Sequence, residues 1–158
     1  LKGFEINAQK RLDFLPGWME NFGVQANYTF VDSSIEYITA LAPVRTSIEE
    51  TLIGLSRHAA NFTLYYETER FSVRGSAAYR EGYLTAVPAP DGNSVAGTNE
   101  TLNFDAQASY NITDQLKVSV EGINLTDEFN DQYVDASNRL NVRSHTGRQV
   151  FVGLRYSF

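Results

Sequence analysis

Seven stretches of this chain alternate apolar and polar residues with a strict period of two, and each is long. In the first, Phe4, Ile6, Ala8 and Leu12 share one face while Glu5, Asn7, Gln9 and Arg11 share the other. The second, 23–33, sets Val24, Ala26, Tyr28 and Phe30 against Gln25, Asn27 and Thr29. The third, 59–67, sets Phe62, Leu64 and Tyr66 against Asn61, Thr63 and Glu67, and the fourth, 70–80, sets Phe71, Val73, Ala77 and Tyr79 against Ser72, Arg74, Ser76 and Arg80. Leu102 to Tyr110 and Leu116 to Glu121 form the fifth and sixth. In the seventh, Val150, Val152, Leu154, Tyr156 and Phe158 oppose Gln149, Gly153, Arg155 and Ser157. This period is that of a strand whose two faces meet different surroundings. Lengths of about 9 to 11 residues match a tilted strand crossing a bilayer and exceed the usual soluble strand of about 5 to 6.

The intervals between these strands run to about 10, 25, 2, 20, 4 and 23 residues, so short and long connections alternate. Outer-membrane barrels have this asymmetry, with short periplasmic turns and long extracellular loops. All four prolines, Pro16, Pro43, Pro88 and Pro90, fall in the intervals, where no ladder hydrogen bond is lost. Within the first long interval, Ser47-Ile-Glu-Glu50 has the form of a capping box and predicts a short helix with Ile48, Leu52 and Leu55 on one face.

Alternation alone fits a soluble sandwich as well as a membrane barrel. The chain has 10 Phe, 9 Tyr and 1 Trp, and on the apolar faces the rings gather near strand ends (Phe4, Tyr28, Phe30, Phe71, Tyr79, Tyr110, Tyr156, Phe158). Mid-strand positions hold mostly Ala, Val or Leu, the distribution of interfacial girdles around an apolar band rather than of a sandwich core. No apolar run approaches the roughly 20 residues of a membrane helix. Seven is an odd count, whereas bacterial barrels are even, so the expected architecture is all-β: an antiparallel transmembrane β-barrel segment of about seven long strands that cannot close by itself. The alternatives are a complete small eight-strand barrel with a binding or structural role, and a soluble β-sandwich binding module.

Three stretches resemble the C-terminal part of a TonB-dependent receptor, an outer-membrane transporter with an internal plug. Gly147 to Phe158 is similar to that family's closing strand. Ser56-Arg57-His58, Asn61, Tyr66-Glu67, Phe71-Ser72, Arg74, Tyr79-Arg80 and Tyr83-Leu84 resemble its "SRH..N...YE...FS.R....YR..YL" hairpin, and Ile123-Asn124-Leu125-Thr126-Asp127-Glu128 its penultimate-strand exit. The resemblance implies that residues 1–158 are the C-terminal part of a larger barrel domain, in a bacterial outer-membrane importer energised through the TonB complex. Its partners would be the protein's own plug and remaining strands, outer-membrane lipid and a small-molecule ligand such as a siderophore–iron complex, cobalamin or an oligosaccharide. It also implies that the barrel-assembly machinery reads Val150, Val152, Leu154, Tyr156 and Phe158.

Residues for each task follow from position. Arg74, Arg80, Asp105, Lys117, Glu121 and Arg155 fall on the polar faces and would line the lumen. The long intervals 34–58, 81–100 and 125–147 carry Tyr37, Tyr83, Asp91, Tyr133, Asp135, Arg139, Arg143 and His145, side chains able to stack on or hydrogen-bond a ligand. Other functions find little support. A net charge of −6 opposes a phosphate-backbone partner. Without cysteine there is no thiolate metal site or thiol nucleophile, and neither His58 nor His145 has a metalloprotease or nucleophile-elbow context, so neither catalysis nor a cofactor is expected. Asp127, Glu128, Asp131 and Asp135 lack the spacing of a calcium loop. The Asn-x-Thr triplets at Asn27 and Asn61 reflect the strand period, which places i and i+2 on one polar face.

Overall fold

A computed structural model describes residues 1–40 and 43–158, apart from the side chain of Asp91. Seven long strands form one antiparallel sheet: β1 (Lys2–Arg11), β2 (Phe22–Asp32), β5 (His58–Glu67), β6 (Phe71–Arg80), β9 (Thr101–Asn111), β10 (Leu116–Ile123) and β13 (Gln149–Tyr156), in the order β1-β2-β5-β6-β9-β10-β13. Each pairs with the next long strand along the chain, as in an up-and-down barrel wall. Connections 12–21, 68–70 and 112–115 lie at one end, and 33–57, 81–100 and 124–148 at the other.

Register keeps the two faces separate across the sheet. Ala8 pairs with Ala26, Ala26 with Phe62, Phe62 with Ala77 and Ala77 with Phe104, so the mid-strand rings of Phe62 and Phe104 stand beside alanines. On the opposite face Asn7 pairs with Asn27 and Asn27 with Asn61. A one-residue slip would exchange every such residue between faces, so the alternation itself selects the register. Gly23 stands opposite Tyr65, whose ring occupies the space a side chain would need: a Cβ there would lie 2.2 Å from Tyr65 Cζ. Phe151 lies on the polar face, opposite Glu121.

Aromatic residues mark both ends of the apolar face. At the short-turn end Trp18, Phe22, Tyr66 and Phe71 follow one another at centroid distances of 5.7, 4.9 and 6.3 Å. At the long-loop end Phe4 packs on Phe30 at 5.6 Å and Phe30 on His58 at 5.2 Å. A ten-residue strand at about 3.3 Å per residue, tilted by about 40°, rises about 25 Å, the height of an outer-membrane apolar band.

The long connections fold into further strands. β3 (Ile35–Ala40) and β4 (Thr46–Glu50) make a hairpin, and β7 (Tyr83–Ala86), β8 (Ala96–Thr98), β11 (Asn130–Val134) and β12 (Arg139–Ser144) form a four-stranded sheet in the order β12-β11-β8-β7. The helix expected from Ser47 is therefore β4. Ile48 pairs with Tyr37, and the Ser47 hydroxyl donates to Glu36 Oε1 across the ladder instead of capping its own turn. A β-branched residue facing an aromatic partner favours the sheet, so tertiary pairing overrides the local cap. We call the four-stranded sheet and its loops the cap.

Candidate functional site

The junction of wall and cap is held by residues from the three recognisable stretches. Asn124 has φ 54°, in the left-handed region that asparagine tolerates better than most residues. Its side-chain amide donates to the carbonyls of Glu128 (3.2 Å) and Gly147 (3.3 Å), and its carbonyl accepts the Glu128 N–H at 2.7 Å. Asp105 accepts the Asn124 N–H at 2.8 Å, and Thr126 donates to the Leu102 carbonyl at 3.0 Å. Arg80, at the end of β6, donates from Nε to Ser56 Oγ (2.8 Å) and from Nη2 to the Gly54 carbonyl (3.1 Å), with its guanidinium 4.0 Å from the centre of the Tyr83 ring. These contacts join all three long connections to the wall.

Beside this clasp, on the polar face, opens a recess of about 450 Å³. Arg80, Thr101, Asn103 and Gln149 border it from the wall, and Tyr83, Asn99, Phe129 and Asn130 from the cap. Asn124 is fully engaged in the clasp. Among the described residues, the side-chain amides of Asn99, Asn103, Asn130 and Gln149 make no hydrogen bond to another residue, and no buried polar side-chain atom lacks a partner, so these amides remain open to solvent.

Most of the polar groups expected in the loops are engaged within the protein. The Tyr37 hydroxyl donates to the Thr51 carbonyl at 3.2 Å and accepts the Ile53 N–H at 3.0 Å. Arg139 reaches Asp135 at 3.0 Å and Asn93 at 3.3 Å. Arg143 grips Asp131 through two hydrogen bonds of 2.9 and 2.8 Å and lies 4.6 Å from the centre of Phe129. His145 stacks on Phe129 at 4.0 Å, with Nε2 2.9 Å from Asp127 Oδ1. Tyr133 covers Gly97, where a Cβ would lie 2.4 Å from the ring. Asp91 has its side chain outside the described set.

Electrostatics follow these pairings. The Arg143 guanidinium holds the Asp131 carboxyl below the ordinary range, and hydrogen bonds from Ser137 do the same for Asp135. Partial burial, with the charge of Glu50, pushes the Tyr133 hydroxyl up. The three long connections carry ten carboxylates against five arginines, so most of the chain's net −6 lies at this end.

The remaining expected residues occupy the wall. Arg74, Gln107 and Glu121 form one cross-strand row on the polar face, and Lys117 stands directly opposite Arg155. Val150, Val152, Leu154 and Tyr156 lie exposed on the apolar face of β13, with Phe158 beyond the strand end. Reasoning from single residues missed Asn99, Asn103, Asn130 and Gln149. The available signal was an excess of amide residues where the long connections leave the wall, but their convergence depends on pairing between distant loops.

A family profile described as "TonB dependent receptor-like, beta-barrel" matches residues 1–125. Among solved structures, the siderophore receptor PiuA from Acinetobacter baumannii superposes with a TM-score of 0.70 at 17% identity, over 98% of this chain and 21% of that receptor. At that identity the likeness is one of fold. The chain spans about a fifth of the receptor's length. No curated protein matches the chain.

Proposed function

The chain belongs to the TonB-dependent receptor-like β-barrel family, whose members reside in the outer membrane, and from that premise we propose that residues 1–158 are the C-terminal wall and cap of a larger importer barrel. The polar face lines the lumen beside a plug, the apolar face meets outer-membrane lipid, and the cap admits a small-molecule ligand. The TonB complex drives the ligand inward. The chain carries out no catalysis.

The observation that carries this reading is surface area. The chain exposes 10817 Å². A compact protein of 17.7 kDa exposes about 7,900 Å². The excess is what a wall has when lipid, plug and neighbouring strands are absent. The free outer edge of β13 would be sealed by the first strand of the barrel, after the assembly machinery has recognised Val150, Val152, Leu154, Tyr156 and Phe158 by edge pairing.

The test is uptake by the full-length protein in cells with and without a working TonB complex. Uptake lost without the complex, while surface binding persists, supports the importer. Uptake indifferent to the complex overturns it. Deleting Phe158 in the same protein is expected to reduce the amount assembled in the outer membrane several-fold, and unchanged assembly would refute that role.

A further inference from the structure

We propose that the recess between β6, β9, β13 and the cap binds a neutral, hydroxyl-rich part of the ligand, such as a sugar or polyol, in preference to a polyanionic chelate; the proposal rests on the importer reading above. Its basis is the set of polar groups left unengaged. Asn99, Asn103, Asn130 and Gln149 present free side-chain amides to one space of about 450 Å³, within the roughly 300–1,000 Å³ of small-molecule sites. Each amide offers two donors and a carbonyl acceptor, and Thr101 adds a hydroxyl at the rim. A partner that satisfies interleaved donors and acceptors must itself do both at each position, and a hydroxyl group does. Carboxylates and phenolates only accept, so they would leave the amide carbonyls facing their lone pairs.

Charge points the same way. Of the described side chains bordering the recess only Arg80 and Glu128 are charged, and the Arg80 guanidinium is already held by Ser56, the Gly54 carbonyl and the Tyr83 ring. Arg139, Arg143 and Arg148, the arginines of the 124–148 connection, are paired with Asp135, Asp131 and Asp127. An arriving polyanion would therefore meet ten carboxylates and five arginines in the surrounding connections, with no unengaged guanidinium at the recess. Ring stacking does not define the site, because Phe129 is already stacked by His145 and Arg143.

The test measures binding to the full-length protein in outer-membrane vesicles, using gluco-, xylo- and manno-configured neutral hexasaccharides and ferric citrate as probes. The variants are Asn103→Leu and Gln149→Leu, which remove amides from the polar face of the wall, with Gln25→Leu as a control on the same face away from the recess. Heat-modifiable electrophoretic migration shows whether each variant has folded. At least one hexasaccharide is expected to bind, on the order of tenfold more weakly in either recess variant and unchanged in the control. Asn103→Asp, which keeps an acceptor for a hydroxyl, is expected to weaken that binding less than about threefold. Hexasaccharide binding indifferent to both variants, no hexasaccharide binding, or ferric citrate binding that falls in the same variants would each overturn the proposal. TonB-driven uptake of a hexasaccharide unaffected by the variants would overturn the recess and leave the importer standing. Recess-dependent hexasaccharide binding without energised uptake would do the reverse.

Discussion

In the seven-stranded wall no side chain among the described residues is buried by the protein itself, whereas in the cap Leu84, Ala89, Val95 and Thr98 are all less than a tenth exposed. The wall is ordered by ladder hydrogen bonds and by two faces that each want a different solvent. The cap has a small dry centre, and its two distant connections are joined by the β8–β11 ladder and by the hydrogen bond from Arg139 to Asn93. Each region should therefore fail in its own way: the wall when a face is given the wrong polarity, the cap when a contact between loops is removed.

The largest expected effect comes from two neighbouring wall residues of opposite facing. Val120 lies on the apolar face between Ala108 and Val152, and Ser119 lies on the polar face between Ser109 and Gly153. Val120→Arg is expected to destabilise the full-length barrel by about 2–4 kcal/mol, the cost of a cation near the bilayer midplane. Ser119→Arg should cost under about 1 kcal/mol. Urea titration of folding into lipid vesicles measures both. Equal effects would mean that the faces do not meet lipid and water.

That asymmetry is also why the wall was legible from sequence. Period-two alternation is a local property, and its consequence for Val120 and Ser119 needs no knowledge of partners. The cap was not legible in the same way. Ser47 to Glu50 carries a good local helix signal, yet Ile48 finds Tyr37 across a ladder and becomes strand. Tyr37, Arg139, Arg143 and His145 have the chemistry of ligand contacts, but nothing in their own segments reveals that Thr51, Asp135, Asp131 and Asp127 engage them first. Of the junction residues, Arg80, Tyr83, Asn124 and Thr126 stand in stretches that the sequence marks out, but nothing in those stretches gives the contacts they make. The free amides of the recess emerge only after those internal pairings are known.

Substitutions at two positions sharpen the comparison from the cap side. Asn124→Ala removes three hydrogen bonds and places a residue less tolerant of φ 54° there, for an expected local loss of about 2–3 kcal/mol. Asn124→Gly should lie between, since it relieves the backbone but not the hydrogen bonds. Leu84→Ala, in the small dry centre, is expected to cost about 2 kcal/mol, the low end for a buried leucine. In both cases limited proteolysis should cut within 81–100 and 124–148 faster while the electrophoretic signature of the folded barrel is unchanged. A barrel that unfolds together with the cap would show that the two regions are one cooperative unit.

The smallest effect is the response of the cap to acid, and its sign follows from Asp131. Arg143 holds the Asp131 carboxyl below its ordinary value of 3.8, so the folded hairpin β11–β12 binds this proton less readily than the unfolded chain does. The pair's contribution is therefore fully present above about pH 4 and is lost as the pH falls from there through the lowered value. Asp135, lowered chiefly by hydrogen bonds from Ser137, adds a second contribution in the same window at the tip of that hairpin. Hydrogen exchange at residues 130–144 should thus be flat from neutral pH to about 5, after correction for intrinsic rates, and should accelerate below about 4. Asp131→Asn removes the carboxylate that Arg143 pairs with and should leave a shallower acid response, carried by Asp135. Wall strands β6 and β13, which carry no carboxylate, should show no such acceleration across that range. A hairpin equally protected at pH 3 and pH 7 would mean that the Asp131–Arg143 pair contributes nothing to its order, leaving its long-range contacts to hold it.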